Sequence, residues 1–326
     1  MTPREVIIRN LEGTGPARIG MAFSGGRRND FRSASVGPSE RWTQRRWVEG
    51  NVEYYDDEWG NVWHRLVHMG KGGEIYRPAL QEWSMLDDYQ LPDLANPRRY
   101  QRAAEIFAAE TERYRLGNLP GFPFAICRYL RKMEVYFADL ILERQRIDQL
   151  HERVTDLLAE MIHRWADAGA DGIFFCEDWG VQDHLLVRPA MWRDIFKPLF
   201  ARLCATAHAR GMHVLMHSCG YLWDIIDDLA EVGVNALQFD QPSLYGLERL
   251  AARFRQCRLC LFSPVDIQKV LPTGDRALIE RTARQMIQLF EGQFIAKNYG
   301  DLHGIGVDPQ WDDWAYQVFA SACEGK

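Results

Sequence analysis

Residues 213–220 read HVLMHSCG, an apolar run that ends in polar and ionisable side chains. The part from His213 to His217 has the length and composition of a buried strand. Because side chains alternate along a strand, His217 and Cys219 project to the same side of it. An imidazole and a thiol side by side at a strand end offer two ligands to a borderline metal, zinc above all. Gly220 then permits a sharp turn or a close approach to the backbone.

Similar apolar runs occur on both sides of this stretch, with helical periodicity between them. The runs predicted as strands are Arg18–Phe23, Phe122–Cys127, Gly172–Cys176, His213–His217, Asn235–Phe239, Arg258–Phe262 and Gln293–Ala296. The stretches predicted as helices are 146–168, 189–210, 221–232, 245–255 and 275–290. Repeated strand–helix units indicate parallel strands that are covered by helices.

The number of these units in 326 residues predicts the α/β class and a (β/α)8 TIM barrel as a single domain over residues 1–326. An open doubly wound sheet is the alternative, but no Gly-x-Gly-x-x-Gly follows a predicted strand. Residues 28–96 are rich in Trp, Tyr, Asp and Gly and break the rhythm. We interpret them as an N-terminal insertion with hairpin character that caps the barrel or lies at a subunit interface. Its tryptophans could supply contacts in a homodimer.

Composition narrows the class of protein. A content of 47% hydrophobic and 26% charged residues is ordinary for a globular chain, and the net charge of −6 argues against a nucleic-acid partner. No apolar stretch reaches the roughly 20 residues that span a membrane, and no secretory signal is visible at the N-terminus. The seven cysteines lack the spacing of a disulfide framework. We therefore expect reduced thiols and a cytoplasmic enzyme that acts on a small molecule.

The strand that ends at residue 176 is followed by two acidic residues and a tryptophan. Active sites of such barrels form where strands end, so Glu177 and Asp178 are candidate catalytic residues or metal ligands. Adjacent residues point in opposite directions, and only one of the two can face the barrel mouth. The alternative for either is a helix cap or an ion pair. Trp179 is a candidate substrate platform or a packing residue.

Other strand ends also present polar groups. Gln238 and Asp266 are candidate substrate-binding residues, although Asp266 could equally cap the helix that begins at Ile267. Asn298 and Tyr299 follow the last predicted strand. We expect Asn298 to contact substrate, and the Tyr299 hydroxyl could act as an acid or hydrogen-bond donor. Packing against the C-terminal tryptophans is the alternative for Tyr299.

Several motifs occur together in one order: AGADG at 168–172, DWG at 178–180, HSCG at 217–220 and DIQ at 266–268. Over roughly residues 100–300 they resemble the uroporphyrinogen decarboxylase superfamily. The resemblance implies a TIM barrel, in agreement with the strand–helix pattern. It also implies one of two chemistries, because the superfamily contains cofactor-free decarboxylases and zinc-dependent methyltransferases that move a methyl group between a corrinoid protein and a thiol or another acceptor.

The resemblance favours the methyltransferase branch. The decarboxylases carry an Arg-Gln-Ala-Gly-Arg-Tyr run near the N-terminus, whereas the comparable residues 24–30 here read SGGRRND. The His217-x-Cys219 pair, by contrast, is similar to the zinc ligands of the methyltransferases. The resemblance therefore implies zinc as a cofactor and a corrinoid carried by a partner protein that docks over the barrel mouth.

The ligand set implied by the resemblance is incomplete. Those methyltransferases usually take a third ligand, a cysteine, just after a late strand, and residues 296–300 here read AKNYG. His303, or one of the acids Glu177 and Asp178, could complete the set. Two alternatives stay open: a metal-free decarboxylase or lyase that acts on a carboxylated substrate, and a non-catalytic barrel that binds a ligand or a protein.

Overall fold

The computed structural model describes residues 1–67 and 72–324. In chain order, the strands are β1 Gly20–Ala22, β2 Phe31–Ala34, β3 Arg46–Glu49, β4 Val52–Asp56, β5 Val62–Leu66, β6 Glu74–Arg77, β7 Tyr114–Asn118, β8 Gly172–Cys176, β9 His213–His217, β10 Ala236–Gln238, β11 Cys260–Ser263 and β12 Phe294–Lys297. The helices are α1 Pro3–Glu12, α2 Gln101–Ala108, α3 Pro123–Arg131, α4 Met133–Leu142, α5 Arg144–Asp167, α6 Pro189–Met191, α7 Lys197–Ala209, α8 Ile226–Glu231, α9 Leu247–Cys257, α10 Arg276–Leu289 and α11 Pro309–Glu324. None of the helices in the described ranges is long and apolar enough to cross a bilayer.

Eight strands form a nearly closed parallel barrel, which confirms the predicted fold class. Their order is β1-β12-β11-β10-β9-β8-β7-β2, and each hydrogen-bonded pair is parallel. Between the outer strands β1 and β2, the chain reverses and makes an antiparallel bridge from Ala22 to Asn29. The Asp30 N–H donates to the Met21 carbonyl at 2.8 Å, so backbone hydrogen bonds continue across this seam.

The interior of the barrel is filled by alternate side chains of its strands. A buried cluster inside the barrel includes Leu116 of β7, Leu215 of β9 and Ile295 of β12. Helix α1 adds Ile7 and Leu11 to this cluster and thereby closes the amino-terminal end of the barrel. The opposite end of the barrel, where the strands finish, is not covered by α1. Within the described ranges, a cavity is lined by strand-end side chains there.

The predicted strands at Gly172–Cys176 and His213–His217 match β8 and β9 residue for residue. The predicted strand at Phe122–Cys127 is wrong, because this run lies in helix α3 and the barrel strand is β7. Pro123 occupies the first turn of α3, a position that suits a residue without a backbone N–H. Almost all of α3 is buried, so its apolar residues show no periodic pattern that separates a helix from a strand.

The segment 28–96 contains two different structures. Strands β3, β4, β5 and β6 form an antiparallel sheet outside the barrel. Strand β2, which the sequence assigned to the insertion, pairs with β7 and belongs to the barrel. Its four residues FRSA are too few and too polar to stand out as a buried strand. Part of the segment, residues 68–71, lies outside the described ranges.

Candidate metal centre at the barrel mouth

Three neighbouring strands deliver the polar groups of the mouth in two rows. The lower row consists of register partners on β8, β9 and β10, namely Cys176, His217 and Gln238. Two residues further along each chain segment, the upper row consists of Asp178, Cys219 and Asp240. Because side chains alternate, residues two apart continue on the inward side of a strand. The mouth therefore collects thiol, imidazole, amide and carboxylate groups.

Asp178, His217 and Cys219 form the centre of this arrangement. Cys219 Sγ lies 3.4 Å from His217 Nε2, and Asp178 Oδ1 lies 3.5 Å from the same nitrogen. One donor atom from each of the three lies within 4.8 Å of the others. We name these three residues the metal trio. Asp178 is thus the acid of the Glu177–Asp178 pair that faces the mouth.

A close contact between two loops brings the trio together. The Cys219 N–H donates to Asp178 Oδ1 at 2.8 Å. Gly220 has φ of 80°, and a Cβ there would lie 2.1 Å from the Gly180 carbonyl oxygen. A Cβ on Gly180 would in turn meet the Tyr221 nitrogen at 2.4 Å. Glycine at both positions is therefore required for the loops after β8 and β9 to approach this closely.

Asp240 lies on the far side of the His217 ring. His217 Nδ1 is buried and has no hydrogen-bond partner among the described residues, and Asp240 Oδ2 lies 4.0 Å from it. The other oxygen, Oδ1, accepts hydrogen bonds from Lys297 Nζ at 2.9 Å and from Gln238 Nε2 at 2.7 Å. A carboxylate behind a ligating histidine is the usual device that orients the ring and selects its tautomer.

Burial raises the pKa of the Cys219 thiol to about 12, and the nearby Asp178 and Asp240 carboxylates raise it further in the same direction. The protein alone therefore holds this sulfur as a thiol at neutral pH. A metal must displace the proton when it binds, which makes metal affinity dependent on pH.

The spacing of the trio fits zinc. Zinc lies about 2.3 Å from cysteine sulfur and about 2.0–2.2 Å from nitrogen or oxygen, so neighbouring donors of a tetrahedral set are roughly 3.3–3.6 Å apart. The sulfur–nitrogen and nitrogen–oxygen distances of 3.4 and 3.5 Å in the structure agree with this spacing. One sulfur, one nitrogen and one oxygen also form a donor set that suits a borderline metal.

A cavity of about 400 Å³ opens beside the trio. The polar side chains among its lining residues are Ser33, Asn118, Cys176, His217, Gln238, Asp240 and Lys297. Cys176 was missed by sequence reasoning, although strict alternation from the strand end would have placed it inward. Burial raises the pKa of the Tyr299 hydroxyl, and the nearby Asp240 carboxylate raises it further.

Glu177 and Trp179 point away from the mouth. Glu177 is fully buried, its Oε1 accepts the Ala125 N–H at 2.9 Å near the start of α3, and burial raises its pKa to about 8. Trp179 is also fully buried and stacks on Phe124 with ring centroids 4.0 Å apart. Trp179 therefore takes the packing alternative. Glu177 binds a backbone N–H of α3, which precedes it in the chain, and does not cap the helix that follows it.

Asp266 and Asn298 hold loops of the mouth. Asp266 is buried and accepts the N–H groups of Gln268, Lys269 and Ser243 at 2.9, 2.7 and 2.9 Å. Its carboxylate is thus occupied by backbone donors. The helix expected to begin at Ile267 is wrong, because residues 267–270 form a turn. Asn298 Oδ1 accepts the Ser24 N–H at 2.8 Å and ties the end of β12 to the end of β1.

His303 does not join the metal trio. It is exposed at the start of a short helical turn that runs to Ile305, beyond the end of β12. Among the described residues, the donor atoms that cluster are those of Asp178, His217 and Cys219. The expectation that His303 supplies a ligand is corrected, because nearness in sequence to a strand end did not bring its ring to the mouth.

Comparisons with known proteins follow the geometry. A family model described as Uroporphyrinogen decarboxylase (URO-D) matches residues 67–323 and confirms the resemblance seen in the motifs. A search of curated proteins found no match. Among solved structures, a methyltransferase from Methanosarcina mazei is 16% identical, with a TM-score of 0.61 over 82% of this chain and 76% of that chain. A 3-keto-D-glucoside 4-epimerase from E. coli is 13% identical, with a TM-score of 0.40 over 68% of this chain and 84% of that one. At 16% identity, the likeness to the methyltransferase is one of fold.

Proposed function

Because the chain belongs to the uroporphyrinogen decarboxylase family, we propose that it is an enzyme of the methyl-transfer type that holds zinc in the metal trio. The observation that supports this most directly is the spacing of the Asp178, His217 and Cys219 donor atoms at the barrel mouth. The similarity of its fold to a methyltransferase from Methanosarcina mazei supports the same choice within the family.

Zinc at this position would supply a Lewis acid that makes a thiol nucleophilic at neutral pH. Three protein ligands leave a fourth position for substrate, as in catalytic rather than structural zinc sites. Asp240 would fix the His217 tautomer with the proton on Nδ1, which leaves Nε2 to bind the metal. Lys297, through its bond to Asp240, would keep that carboxylate ionised and in place.

The cavity beside the trio would hold the acceptor substrate. Its volume of about 400 Å³ suits a small molecule. The Tyr299 hydroxyl, near Asp240 and Cys219, would serve as a hydrogen-bond donor to it. We propose that the methyl donor is a corrinoid on a partner protein, which would reach the trio from the open end of the barrel.

The decarboxylase alternative receives less support. A substrate with several carboxylates needs cations in its site, and Lys297 is the only Lys or Arg among the described residues that line the cavity. Its charge is already paired with Asp240 at 2.9 Å. The site is therefore poor in free positive charge.

Metal analysis of protein purified without chelators tests the proposal. We expect about one zinc per chain, lost in Cys219→Ala and His217→Ala and kept in the matched controls Cys204→Ala and His213→Ala. Binding of zinc to the metal-free protein should release about one proton, since Cys219 begins as a thiol. The zinc-loaded protein should also demethylate free methylcobalamin in the presence of a thiol, which loss of the methylcobalamin spectrum would report.

Two results would overturn the proposal. One is a wild-type protein that binds no zinc, and the other is zinc that stays bound in both trio variants. Zinc binding without any methyl transfer from methylcobalamin to a panel of thiols would leave the site assignment standing and would reject the proposed reaction.

A further inference from the structure

A second cavity lies between the antiparallel sheet and the barrel. Its volume is about 310 Å³. Its walls combine aromatic rings with one carboxylate, and the residues concerned are Tyr55, Asp57, Trp59, Asn61, Trp63 and Tyr129. The rings come from β4, β5, the loop between these strands, and helix α3. Two separate parts of the fold therefore meet around an aromatic space that the metal trio does not use.

Three of the rings that line this space pack against one another. Trp63 and Tyr55 are register partners on neighbouring strands, and their ring planes lie within 3° of each other at a centroid distance of 6.2 Å. Tyr129 approaches Trp63 from the barrel side at 4.8 Å with its plane tilted by 62°. The position of Trp59 is held by Tyr89, whose hydroxyl donates to the Trp59 carbonyl at 2.7 Å. The walls are thus fixed before any ligand arrives.

The Asp57 carboxylate in this cavity has no cationic partner within residues 1–67 and 72–324. Its oxygens accept hydrogen bonds from the Asn61 N–H at 2.9 Å, from Asn61 Nδ2 at 3.0 Å and from Trp63 Nε1 at 2.6 Å. Burial raises its pKa even though these three bonds act in the opposite direction. Neutral donors therefore orient this carboxylate, and no Lys or Arg among the described residues forms an ion pair with it.

The Tyr55 ring of this cavity already contacts two cationic side chains. The guanidinium carbons of Arg46 and Arg65 lie 5.0 and 5.7 Å from the Tyr55 ring centroid. Both arginines pair with Glu53, at 2.7 and 2.6 Å, so their charge is partly balanced on that side of the sheet. On the barrel side, the Arg128 guanidinium carbon lies 5.1 Å from the Tyr129 ring centroid. The remaining rings, those of Trp59 and Trp63, lack such a partner among the cation–ring contacts of the described residues.

We propose that this cavity binds the quaternary ammonium head group of a small molecule. Aromatic rings and a partly buried carboxylate stabilise a cation that has lost its water. A primary ammonium would need several hydrogen-bond acceptors, whereas the Asp57 oxygens are already occupied by N–H groups. A methylated ammonium needs no acceptor and matches an apolar lining. The volume lies at the lower end of the range for ligand sites, about 300–1,000 Å³, and suits a small head group.

The ammonium cavity lies at the same end of the barrel as the metal trio. Strand β7 ends at Asn118, which lines the cavity beside the trio, and Pro120 just beyond it lines the ammonium cavity. The two spaces therefore flank one strand end. The inference goes beyond the proposed function and does not depend on zinc, since neither Asp57 nor the rings belong to the metal trio.

Calorimetric titration of the whole chain with choline tests the proposal. The control ligand is 3,3-dimethylbutan-1-ol, which has the same shape and hydroxyl but no charge. We expect choline to bind at least about tenfold more tightly, because cation–ring and carboxylate attraction act only on the charged ligand. Equal binding of the two, or no binding of choline at tens of millimolar, would overturn the proposal. Zinc-free protein should give the same result.

Single-residue variants test whether choline binds in this cavity. Tyr129→Leu should weaken choline binding by about tenfold, while Tyr129→Phe keeps the ring and should bind as wild type does. Trp47→Leu removes an exposed tryptophan of the same sheet that does not line the cavity, and it should have no effect. Equal binding by Tyr129→Leu and wild type, or an equal loss in Trp47→Leu, would reject the assignment. Should Tyr129→Leu melt early, the comparison of the two ligands on the wild-type protein decides alone.

Discussion

Strand β9 carries a histidine at each end, both directed into the barrel, and their surroundings differ. At the amino-terminal end, His213 Nδ1 lies 3.0 Å from the Tyr114 hydroxyl and Nε2 lies 3.4 Å from the Glu12 carboxylate. At the mouth, His217 Nδ1 has no hydrogen-bond partner among the described residues, and Nε2 faces a thiol. The same residue type on one strand is thus structural where its partners are complete and a candidate ligand where they are not.

The acids near the two ends follow the same rule. At the amino-terminal end, Asp171 accepts hydrogen bonds from Arg4 and Arg115 and from a backbone N–H. At the mouth, Asp178 accepts the Cys219 N–H and is 41% exposed. Helix α1 covers the first end, so its polar groups must pair with one another. The mouth is open, and its groups stay available to a metal.

The largest difference between the two ends should appear in the free energy of unfolding when Asp171 and Asp178 are each replaced in metal-free protein. Asp171→Ala should lower the free energy of unfolding by about 3 kcal/mol or more, because Arg4 and Arg115 lose their shared partner in a mostly buried site. Asp178→Ala should lower it by less than about 1 kcal/mol. Urea unfolding followed by tryptophan fluorescence measures both. Equal losses would contradict the contrast between the two ends.

A smaller effect is expected from the carboxylate behind each histidine. Asp240→Asn should lower zinc affinity by about 10- to 100-fold, since we propose that this carboxylate, 4.0 Å from His217 Nδ1, orients the ring when the metal is bound. Glu12→Gln, the matched change beside His213, should leave zinc affinity unchanged. Competition with a chromophoric chelator measures both values. An Asp240→Asn protein with wild-type affinity would show that Asp240 has no orienting role.

The dependence of stability on pH should report His213. Burial lowers the pKa of His213 below its usual value of 6.5, while Glu12 opposes this only in part. As pH falls below about 6.5, this histidine takes up a proton in the unfolded chain more readily than in the folded protein. Protonation therefore favours the unfolded chain, and the free energy of unfolding decreases as pH falls. The slope cannot exceed about 1.4 kcal/mol per pH unit for one proton. His151, whose pKa burial lowers to about 3, adds to the same fall in stability. His213→Gln should therefore reduce, and not abolish, the fall of the melting temperature between about pH 7 and 5, and an unchanged profile would refute a contribution from His213.

The smallest effect is expected at His303. This exposed residue lies outside the metal trio, so His303→Ala should change zinc affinity by less than about twofold and leave the stoichiometry intact. Metal analysis in parallel with His217→Ala provides the comparison. A loss of zinc in His303→Ala would mean that the last loop moves to the mouth when metal binds.

Strand signals in the sequence were reliable where local pattern and tertiary role agreed. The runs at β8 and β9 are short, apolar and followed by polar groups, and the alternation along them correctly placed His217 and Cys219 together. The pattern failed for α3, where burial on all sides removed the helical period, and for β2, which is too short to leave a pattern. Both failures arise because periodicity reports one-sided burial.

Some site residues were predictable from local sequence, and others became apparent only in the folded structure. Motif order determined the family, and the sequence narrowed the acidic ligand to Glu177 or Asp178 without choosing between them. The fold decided for Asp178, because alternation turns Glu177 outward to the start of α3. The positions of two further residues depend on how neighbouring strands are aligned: Asp240 lies behind the His217 ring, and Cys176 lines the cavity beside it. Their positions follow from strand register, which no local pattern records.

The bounds of β8 and β9, the pairing of His217 with Cys219 and the need for glycine at 220 were written in local sequence, because alternation and backbone sterics act over a few residues. Only the closed barrel decided which acid joins the pair, which histidine is left without partners, and that Trp63 and Tyr129 meet across two elements around Asp57. These facts depend on contacts between residues far apart in the chain, and chain folding alone brings such residues within reach of one another.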